Sequence, residues 1–335
     1  MALFRFLHVS DLHIADPPEQ IGVLDFANTG FDYDLTKQVS KASSHNRGML
    51  RALAELASKE GSRIEGVIIT GDLATTGRDK DVKAAYDFVN EPYSPNLYFG
   101  ASGNSIDYLT TAGEPTLSNS ASTEVFIIPG NHDRYKGRRM MPAGRNFDNW
   151  FNTKWSVGQS AAQLYLKTKN GVNLALIGGD LSLRKGSHVE KAHFPWQIWG
   201  AGRAYRKVID KMVRLTDKAR RQYSPVGIVW LVHFPPEFQG MSSSLRLIKE
   251  DRLTQAAANS NVHALLCGHT HEERDYPLSN SSVMVYCAGS ATQYRAPYSP
   301  GERAVHFLDF TVDTYGQCAI TKQTLKWSDA AANWI

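Results

Sequence analysis

The sequence EVFIIPGNHD, residues 124–133, places Asn131, His132 and Asp133 directly after an apolar run. The run at residues 124–128 predicts a short buried strand, because it is apolar and lies between turn-forming segments. Gly130 tightens the turn that carries Asn131 and His132 side by side. An amide oxygen and an imidazole on such a turn can point at one position, so the stretch predicts a ligand site at the end of a strand.

An apolar strand followed by potential ligands occurs four more times along the chain. Predicted strands at residues 4–9, 66–70, 226–232 and 262–267 lead into Asp11 and His13, Asp72, His233, and His269 and His271, respectively. In an extended segment alternate side chains share a face, so we expect Asp11 and His13 to project to the same side. The sequence therefore predicts that these ligands converge.

The remaining pattern predicts a mixed α/β fold. Apolar residues at helical spacing predict helices at residues 46–59, 80–89, 201–221 and 245–258. The β-branched run at 66–70 is typical of a parallel strand covered on both faces, and Asn170-Gly171 predicts a hairpin between strands at 164–166 and 172–177. Later strands, at 283–287, 304–312 and 317–325, are expected to complete a second sheet packed on the first.

We expect a single domain over residues 1–335, because no internal repeat or linker interrupts the pattern. Two loop excursions are predicted, at about 91–122 and 186–200. The first is rich in Ser, Asn, Gly, Thr and Pro, and it either borders the site or is an insertion without a role. The second carries two histidines and two tryptophans and could offer aromatic surfaces to a substrate.

Composition excludes some classes of function. The chain is 42% hydrophobic and 21% charged, with a net charge of 37 − 33 = +4, which suits phosphate-bearing substrates but is too small for a nucleic-acid coat. No apolar run approaches the roughly 20 residues of a membrane span, and residues 1–9 are too short for a signal peptide. Three cysteines in apolar contexts, Cys267, Cys287 and Cys318, fit reduced thiols. We therefore expect a cytoplasmic protein without a membrane partner.

The predicted donors are two carboxylates, one amide and at least four imidazoles. Oxygen and imidazole donors without thiolates suit manganese, iron or zinc, and the number of donors exceeds the need of one ion. Two divalent ions are thus predicted. Such a pair needs a bridging carboxylate, generates a hydroxide and holds both the attacking and the leaving oxygen of a phosphoryl group.

In their order along the chain, Asp11-x-His13, Gly71-Asp72, Gly130-Asn131-His132-Asp133, His233 and Gly268-His269-x-His271 resemble the motif blocks of the calcineurin-like metallophosphoesterase superfamily. The blocks span residues 11–271 without a missing ligand. The resemblance implies a four-layer αββα fold, in which two mixed sheets pack as a sandwich flanked by helices.

The same resemblance implies a role for each motif residue. Asp11, His13 and His271 would hold the first metal, Asp72 would bridge, and Asn131, His233 and His269 would hold the second. His132 would face the substrate, stabilising phosphoryl oxygens or protonating the leaving oxygen, and Asp133 would orient His132. The other histidines, His8, His45, His188, His193, His263 and His306, are expected to have no role in the site.

Within the superfamily, the Ser-Asp-Leu-His opening at residues 10–13 and the Pro-Gly-Asn-His-Asp block resemble class III cyclic nucleotide phosphodiesterases. An Asp at position 133 also occurs in repair nucleases of the Mre type. The leading hypothesis is hydrolysis of a phosphodiester, in a small or cyclic nucleotide-like substrate, by a metal-bridging hydroxide with His132 assisting. A nuclease is possible but not favoured, a phosphomonoesterase stays open, and a non-catalytic scaffold is a remote alternative.

Basic residues follow the central motif, among them Arg134, Arg138 and Arg139. They form either a rim that steers phosphate or an ordinary solvated face. Asp180, after Gly178-Gly179, is either an extra ligand or, as we favour, a carboxylate that caps its own turn. The sequence gives no indication of the oligomeric state.

Overall fold

The computed structural model describes residues 1–14, 48–90, 124–136, 144–155, 162–182, 200–241, 245–292, 303–328, 330–331 and 333–335. Apart from Gly200, the predicted excursions at 91–122 and 186–200 lie outside these residues. The strands are β1 (Ala2–Val9), β2 (Gly66–Ile69), β3 (Glu124–Ile127), β4 (Ala162–Lys169), β5 (Val172–Gly179), β6 (Gly202–Arg203), β7 (Val226–Val232), β8 (Leu247–Ile248), β9 (Ala264–Cys267), β10 (Arg274–Pro277), β11 (Met284–Cys287), β12 (Ala304–Val312), β13 (Cys318–Ser328) and β14 (Asn333–Trp334). The helices are α1 (Gly48–Glu60), α2 (Asp79–Asn90), α3 (Asn146–Trp150), α4 (Arg206–Tyr223) and α5 (Glu250–Asn259).

The first sheet has the strand order β14-β13-β12-β1-β2-β3. Its β1, β2 and β3 are parallel neighbours, so their carboxyl ends lie at one edge. Every residue of β2 is buried, which confirms the prediction of a parallel strand covered on both faces.

The second sheet has the order β10-β11-β9-β7-β5-β4. Here β5, β7, β9 and β11 are parallel. The hairpin of β4 and β5 is confirmed: Lys169 pairs with Val172, and Asn170 and Gly171 both have positive φ, 53° and 73°, as a tight hairpin turn requires.

The two sheets pack face to face between helices, so the four-layer αββα architecture is confirmed. Phe126 of β3 contacts Tyr165 of β4 with 5.0 Å between ring centroids, which joins the sheets across the central core. On the outer side of the first sheet, α1 buries Leu53. On the outer side of the second, α4 buries Met212 in one cluster with Trp230. Within the described residues, no helix combines the length and apolar composition needed to cross a bilayer.

Two predicted helix starts were wrong. Residues 201–205 are not helical, because Gly202–Arg203 pairs in parallel with Leu247–Ile248 as a separate small sheet. For the same reason the helix predicted from residue 245 begins only at Glu250, after Lys249 turns the chain with a φ of 62°.

The predicted placement of the last strands was also wrong in part. Met284–Cys287 joins the second sheet, but Ala304–Val312 and Cys318–Ser328 extend the first sheet beside β1. The pairing is favoured by aromatic packing, since Phe310 of β12 lies 5.8 Å from Phe6 of β1 between ring centroids. The added strands widen the sheet whose edge carries Asp11 and Asp72.

Candidate metal centre

The predicted ligands lie at the carboxyl ends of five parallel strands, where the two sheets meet. Asp11 and His13 follow β1, Asp72 follows β2, Asn131 follows β3, His233 follows β7, and His269 and His271 follow β9. Backbone hydrogen bonds extend the strand pairing into these loops. The amide of His13 donates to the carbonyl of Asp72 at 2.9 Å, and the amide of Gly268 donates to the carbonyl of His233 at 3.0 Å.

Left-handed backbone conformations bring these side chains inward. Asp11, His13, Asp72, His269 and His271 have φ values of 56°, 47°, 52°, 73° and 54°. The expectation that Asp11 and His13 share a face of an extended segment was therefore wrong in its geometry, although they do meet. Non-glycine residues in this region cost on the order of 1–2 kcal/mol each and cluster at functional sites. Five such residues occur together in this one buried site.

The first group of possible ligands is formed by Asp11, His13 and His271, whose ligand atoms lie within 4.8 Å of one another. His271 Nε2 is 3.2 Å from Asp11 Oδ1 and 3.2 Å from His13 Nε2. Two ring nitrogens at that separation either share a proton in a hydrogen bond or both bind one cation. All three side chains are buried.

The second group is formed by Asp72, His233 and His269, again within 4.8 Å. His233 Nε2 lies 3.2 Å from Asp72 Oδ2 and 3.1 Å from the amide oxygen of Asn131. Asp72 also belongs to a third group with His13 and His132. Its carboxylate thus lies between the first and second groups, as a bridging ligand must.

The charges of the site suit a cation. Burial alone would raise the pKa of Asp11 and of Asp72, but the neighbouring histidines hold both below the ordinary range. Burial would lower the pKa of His233, yet Asp72 raises it to about 9. Burial and His233 together lower the pKa of His269 to about 3. Two ionised carboxylates thus face buried imidazoles, with Asp11 Oδ1 3.2 Å from His271 Nε2, and this set of oxygen and nitrogen donors fits divalent metal ions.

Backbone carbonyls orient three of the imidazoles. His132 Nδ1 lies 2.7 Å from the carbonyl oxygen of Thr75, and His233 Nδ1 lies 2.7 Å from that of Thr70. His269 instead directs Nε2 to the carbonyl oxygen of Leu245, at 2.9 Å. Because each contact requires an N–H, His132 and His233 present Nε2 to the site and His269 presents Nδ1.

Asp133 does not contact the imidazole of His132, so the expected orienting role differs from the structure. Its carboxylate accepts backbone N–H groups of Gly130 and Ala74, each at 2.8 Å, and of Leu73 at 3.3 Å. The reason is the turn at residues 130–133, which directs this side chain back to the loop after β2. Asp133 ties the two loops together, and its burial and the Asp72 carboxylate raise its pKa to about 7.

Among the predicted substrate contacts, Arg134 is buried and already paired. Its guanidinium lies 2.8 Å from Asp148 and 2.8 Å from Asp180. Asp180 also accepts the amide of Ser182 at 3.0 Å, in agreement with the turn-capping interpretation. Arg138 and Arg139 lie outside the described residues.

Several hydroxyl groups that support the site were missed from the sequence. Thr75 donates to the carbonyl of His13 at 2.6 Å, Ser290 to that of Asp11 at 2.9 Å, and Thr292 to that of Leu12 at 3.0 Å. The hydroxyl of Tyr135 accepts from the side-chain amide of Asn131 at 2.7 Å. Ser and Thr are too common in loops to indicate a contact with the site. Tyr135 lies four residues after the predicted ligand Asn131, and this spacing could have indicated a contact between the two side chains.

The family model for calcineurin-like phosphoesterases matches residues 4–273 of the chain. The chain belongs to this family. Membership supports a metal-dependent phosphoric ester hydrolase, and members typically bind two divalent metal ions. A sequence comparison with curated proteins found no match.

Solved structures share the fold at low sequence identity. A dimetal phosphatase from Danio rerio has a TM-score of 0.56 and 13% identity, and the match covers 97% of this chain and 99% of that one. A purple acid phosphatase from yellow lupin (Lupinus luteus) has a TM-score of 0.51 and 12% identity, covering 98% of this chain and 52% of that one. A putative 5'-nucleotidase from Staphylococcus aureus has a TM-score of 0.50 and 10% identity, covering 97% and 54%. These likenesses support the fold.

Proposed function

We propose that the chain hydrolyses phosphodiesters at a centre of two divalent metal ions. The observation that carries the proposal is a set of three buried ligand groups linked to one another through His13 and Asp72. Asp11, His13 and His271 would hold the first ion, Asp72 would bridge, and Asn131, His233 and His269 would hold the second. The oxygen and imidazole donors suit manganese, iron or zinc. Ions held there would activate a water molecule as the nucleophile and neutralise charge on the phosphoryl oxygens.

His132 is proposed to act on the substrate directly. Its Nε2 lies 4.0 Å from Asp72 Oδ2, beside the metal positions, while Nδ1 is held by Thr75. The fixed ring can therefore present Nε2 to a phosphoryl group. In this role the ring acts as the imidazolium, with one N–H held by Thr75 and the other at Nε2: Nε2–H donates to the phosphoryl oxygens and passes its proton to the leaving alkoxide, which leaves the ring neutral.

The preference for a diester, and for a small or cyclic nucleotide-like substrate, rests on the motif resemblance to class III cyclic nucleotide phosphodiesterases. The contacts of Arg134 with Asp148 and Asp180 remove one cation from the proposed phosphate rim, so the described residues lend little support to a long basic path for a polymer. Free thiols at Cys267, Cys287 and Cys318 fit the expected cytoplasmic location, which stays a prediction.

The test is hydrolysis by the full chain in added manganese, comparing bis(p-nitrophenyl) phosphate with p-nitrophenyl phosphate. We expect faster hydrolysis of the diester, with activity lost in Asp72→Ala and retained in His306→Gln. His306 is a buried histidine of the first sheet that belongs to none of the three ligand groups. A preference for the monoester would instead favour a phosphomonoesterase. No hydrolysis of either ester with two ions bound would contradict the proposal for these substrates.

A second measurement isolates the role of His132. If Nε2 protonates the leaving oxygen, His132→Ala should lose about 10²–10⁴-fold of the rate with a diester that has a poor leaving group. The loss should be much smaller with p-nitrophenolate, which needs little protonation. An equal loss for both leaving groups would assign His132 to binding of the phosphoryl oxygens.

A further inference from the structure

Asn131 differs from the other proposed ligands because its two ends have opposite character. The amide oxygen can bind a cation, whereas the amide nitrogen carries two N–H donors and cannot. In the structure Oδ1 lies 3.1 Å from His233 Nε2, at the second metal position, and Nδ2 donates to the hydroxyl of Tyr135 at 2.7 Å. A carboxylate ligand, by contrast, has two oxygens that can each bind a cation.

Tyr135 is rigidly placed for this contact. Only 1% of its surface is exposed, and its ring packs on His132 with 4.9 Å between centroids. Its backbone is closely packed as well, since a Cβ on Gly77 or Gly144 would clash with its carbonyl oxygen.

We propose that Tyr135 is a positioning residue for the second metal: its hydroxyl accepts the amide N–H of Asn131 and so holds the amide oxygen toward the ion. The inference rests on the proposed dinuclear centre. Whenever Oδ1 faces the ion, Nδ2 must point to the opposite side, where the site is buried. Without the hydroxyl, the Asn131 N–H group would lose this acceptor when Oδ1 faces the ion. The metal-binding orientation of the amide would then be less favourable.

The consequence is an asymmetric loss of metal affinity. Mutation of a residue that orients a metal ligand typically lowers the affinity for the metal by about 10–100-fold. Tyr135→Phe removes only the oxygen and retains the ring that packs on His132. We expect affinity at the second position to fall by about 10–100-fold, while affinity at the first position, held by Asp11, His13 and His271, is unchanged.

The test is titration of the metal-free full chain with manganese chloride, followed by calorimetry and by electron paramagnetic resonance. Wild type should bind two ions and show the spectrum of a coupled pair. At an intermediate manganese concentration, Tyr135→Phe should show the spectrum of a single ion. The matched control is Tyr165→Phe, which removes a partly buried hydroxyl that contacts the carbonyl oxygens of Ile127 and Lys154. This control should keep the coupled spectrum.

A double-mutant comparison excludes a general effect of packing. In an Asn131→Ala background the amide is absent, so adding Tyr135→Phe should weaken manganese binding no further. Unchanged two-ion binding in Tyr135→Phe, an equal loss in Tyr165→Phe, or a further loss in the Asn131→Ala background would each overturn the role of Tyr135. Fewer than two ions on wild type would instead overturn the dinuclear centre itself, so the two failures are distinguishable.

Discussion

The described residues contain two groups in which buried histidines lie beside carboxylates, and the groups differ in the source of positive charge. We call the proposed ligands Asp11, His13, Asp72, Asn131, His233, His269 and His271 the metal cluster. We call His8, His306, Glu273, Asp275, Lys322 and Thr324 the lysine cluster. In the lysine cluster the ammonium of Lys322 lies 2.9 Å from Glu273 and 2.6 Å from Asp275. The protein itself thus supplies the cation there.

In the metal cluster, the ion-pair contacts of Asp11 and Asp72 with described residues are to histidines alone. The carboxylates therefore depend on protonated imidazoles or on an external cation. The backbone differs as well, because the left-handed residues concentrate in the metal cluster, whereas His8 and His306 lie on regular paired strands. Histidines beside carboxylates do not by themselves indicate a metal site. Among the described residues, the metal cluster differs from the lysine cluster in two ways: no lysine or arginine pairs with Asp11 or Asp72, and its backbone has left-handed residues.

The largest expected difference is between matched carboxylate variants of the two clusters. Asp72→Asn removes the carboxylate charge that belongs to two of the three ligand groups. It should lower both bound metal and hydrolysis by more than about 100-fold, since loss of a residue that only orients a metal ligand already lowers affinity by about 10–100-fold. Glu273→Gln removes a charge already balanced by Lys322 and should keep both. Metal content by mass spectrometry and hydrolysis rates check this. Two tightly bound ions in Asp72→Asn would contradict the assignment.

The convergence of the proposed ligands was predictable because each follows an apolar strand in a recurrent order. His8 and His306 lie within paired strands, and their exclusion from the site stays a prediction. The sequence pattern did not predict the backbone conformation of the loops that hold the proposed ligands. The left-handed turns at Asp11 and Asp72 and the contacts of Asp133 depend on how neighbouring loops meet, and Asp133 therefore has partners other than the expected His132.

The limits for the fold have a similar cause. Strand and helix periodicity located β2, β5 and β7, but periodicity does not state which strand will be a neighbour. β12 and β13 were thus assigned to the wrong sheet. β10 was missed because Arg274–Pro277 has a polar, partly exposed sequence without an apolar face. That strand carries Asp275 and directly follows Glu273, so the lysine cluster could not be predicted either.

A second prediction concerns the stability of the lysine cluster. Lys322→Met leaves two carboxylates facing each other without a cation and should lower the free energy of unfolding by about 2 kcal/mol. The loss should be the same with manganese and with chelator, because Lys322 pairs with Glu273 and Asp275 rather than with the proposed metal ligands. Lys169→Met is the matched control: its ammonium lies 2.9 Å from Glu65 but its side chain is 47% exposed, so the expected loss is about 0–1 kcal/mol. Urea denaturation measures both, and equal losses would contradict the distinction.

The smallest expected effect is a change in the pH dependence of stability from His306. Burial and the nearby Lys322 and Lys326 lower its pKa to about 4, against the opposing influence of Glu273, and burial and His306 also lower the pKa of His8. An unfolded chain protonates these histidines near their ordinary pKa of about 6.5, whereas the folded protein keeps them neutral. The stability they contribute is therefore complete above pH 6.5 and is lost as the pH falls from about 6.5 toward 4.

Replacing His306 should reduce this acid sensitivity. Each histidine can contribute a slope of up to about 1.4 kcal/mol per pH unit within that window, and His306→Gln should remove one such contribution while leaving the slope above pH 7 unchanged. Urea denaturation of metal-free protein between pH 4.5 and 8 measures the difference from wild type, and the chelator keeps proton competition for bound metal out of the comparison. Parallel curves for the two proteins would mean that His306 is protonated equally when folded and unfolded. In that case burial and Lys322 would not keep His306 neutral in the folded protein. The difference between the two clusters would then rest on their backbone conformations alone.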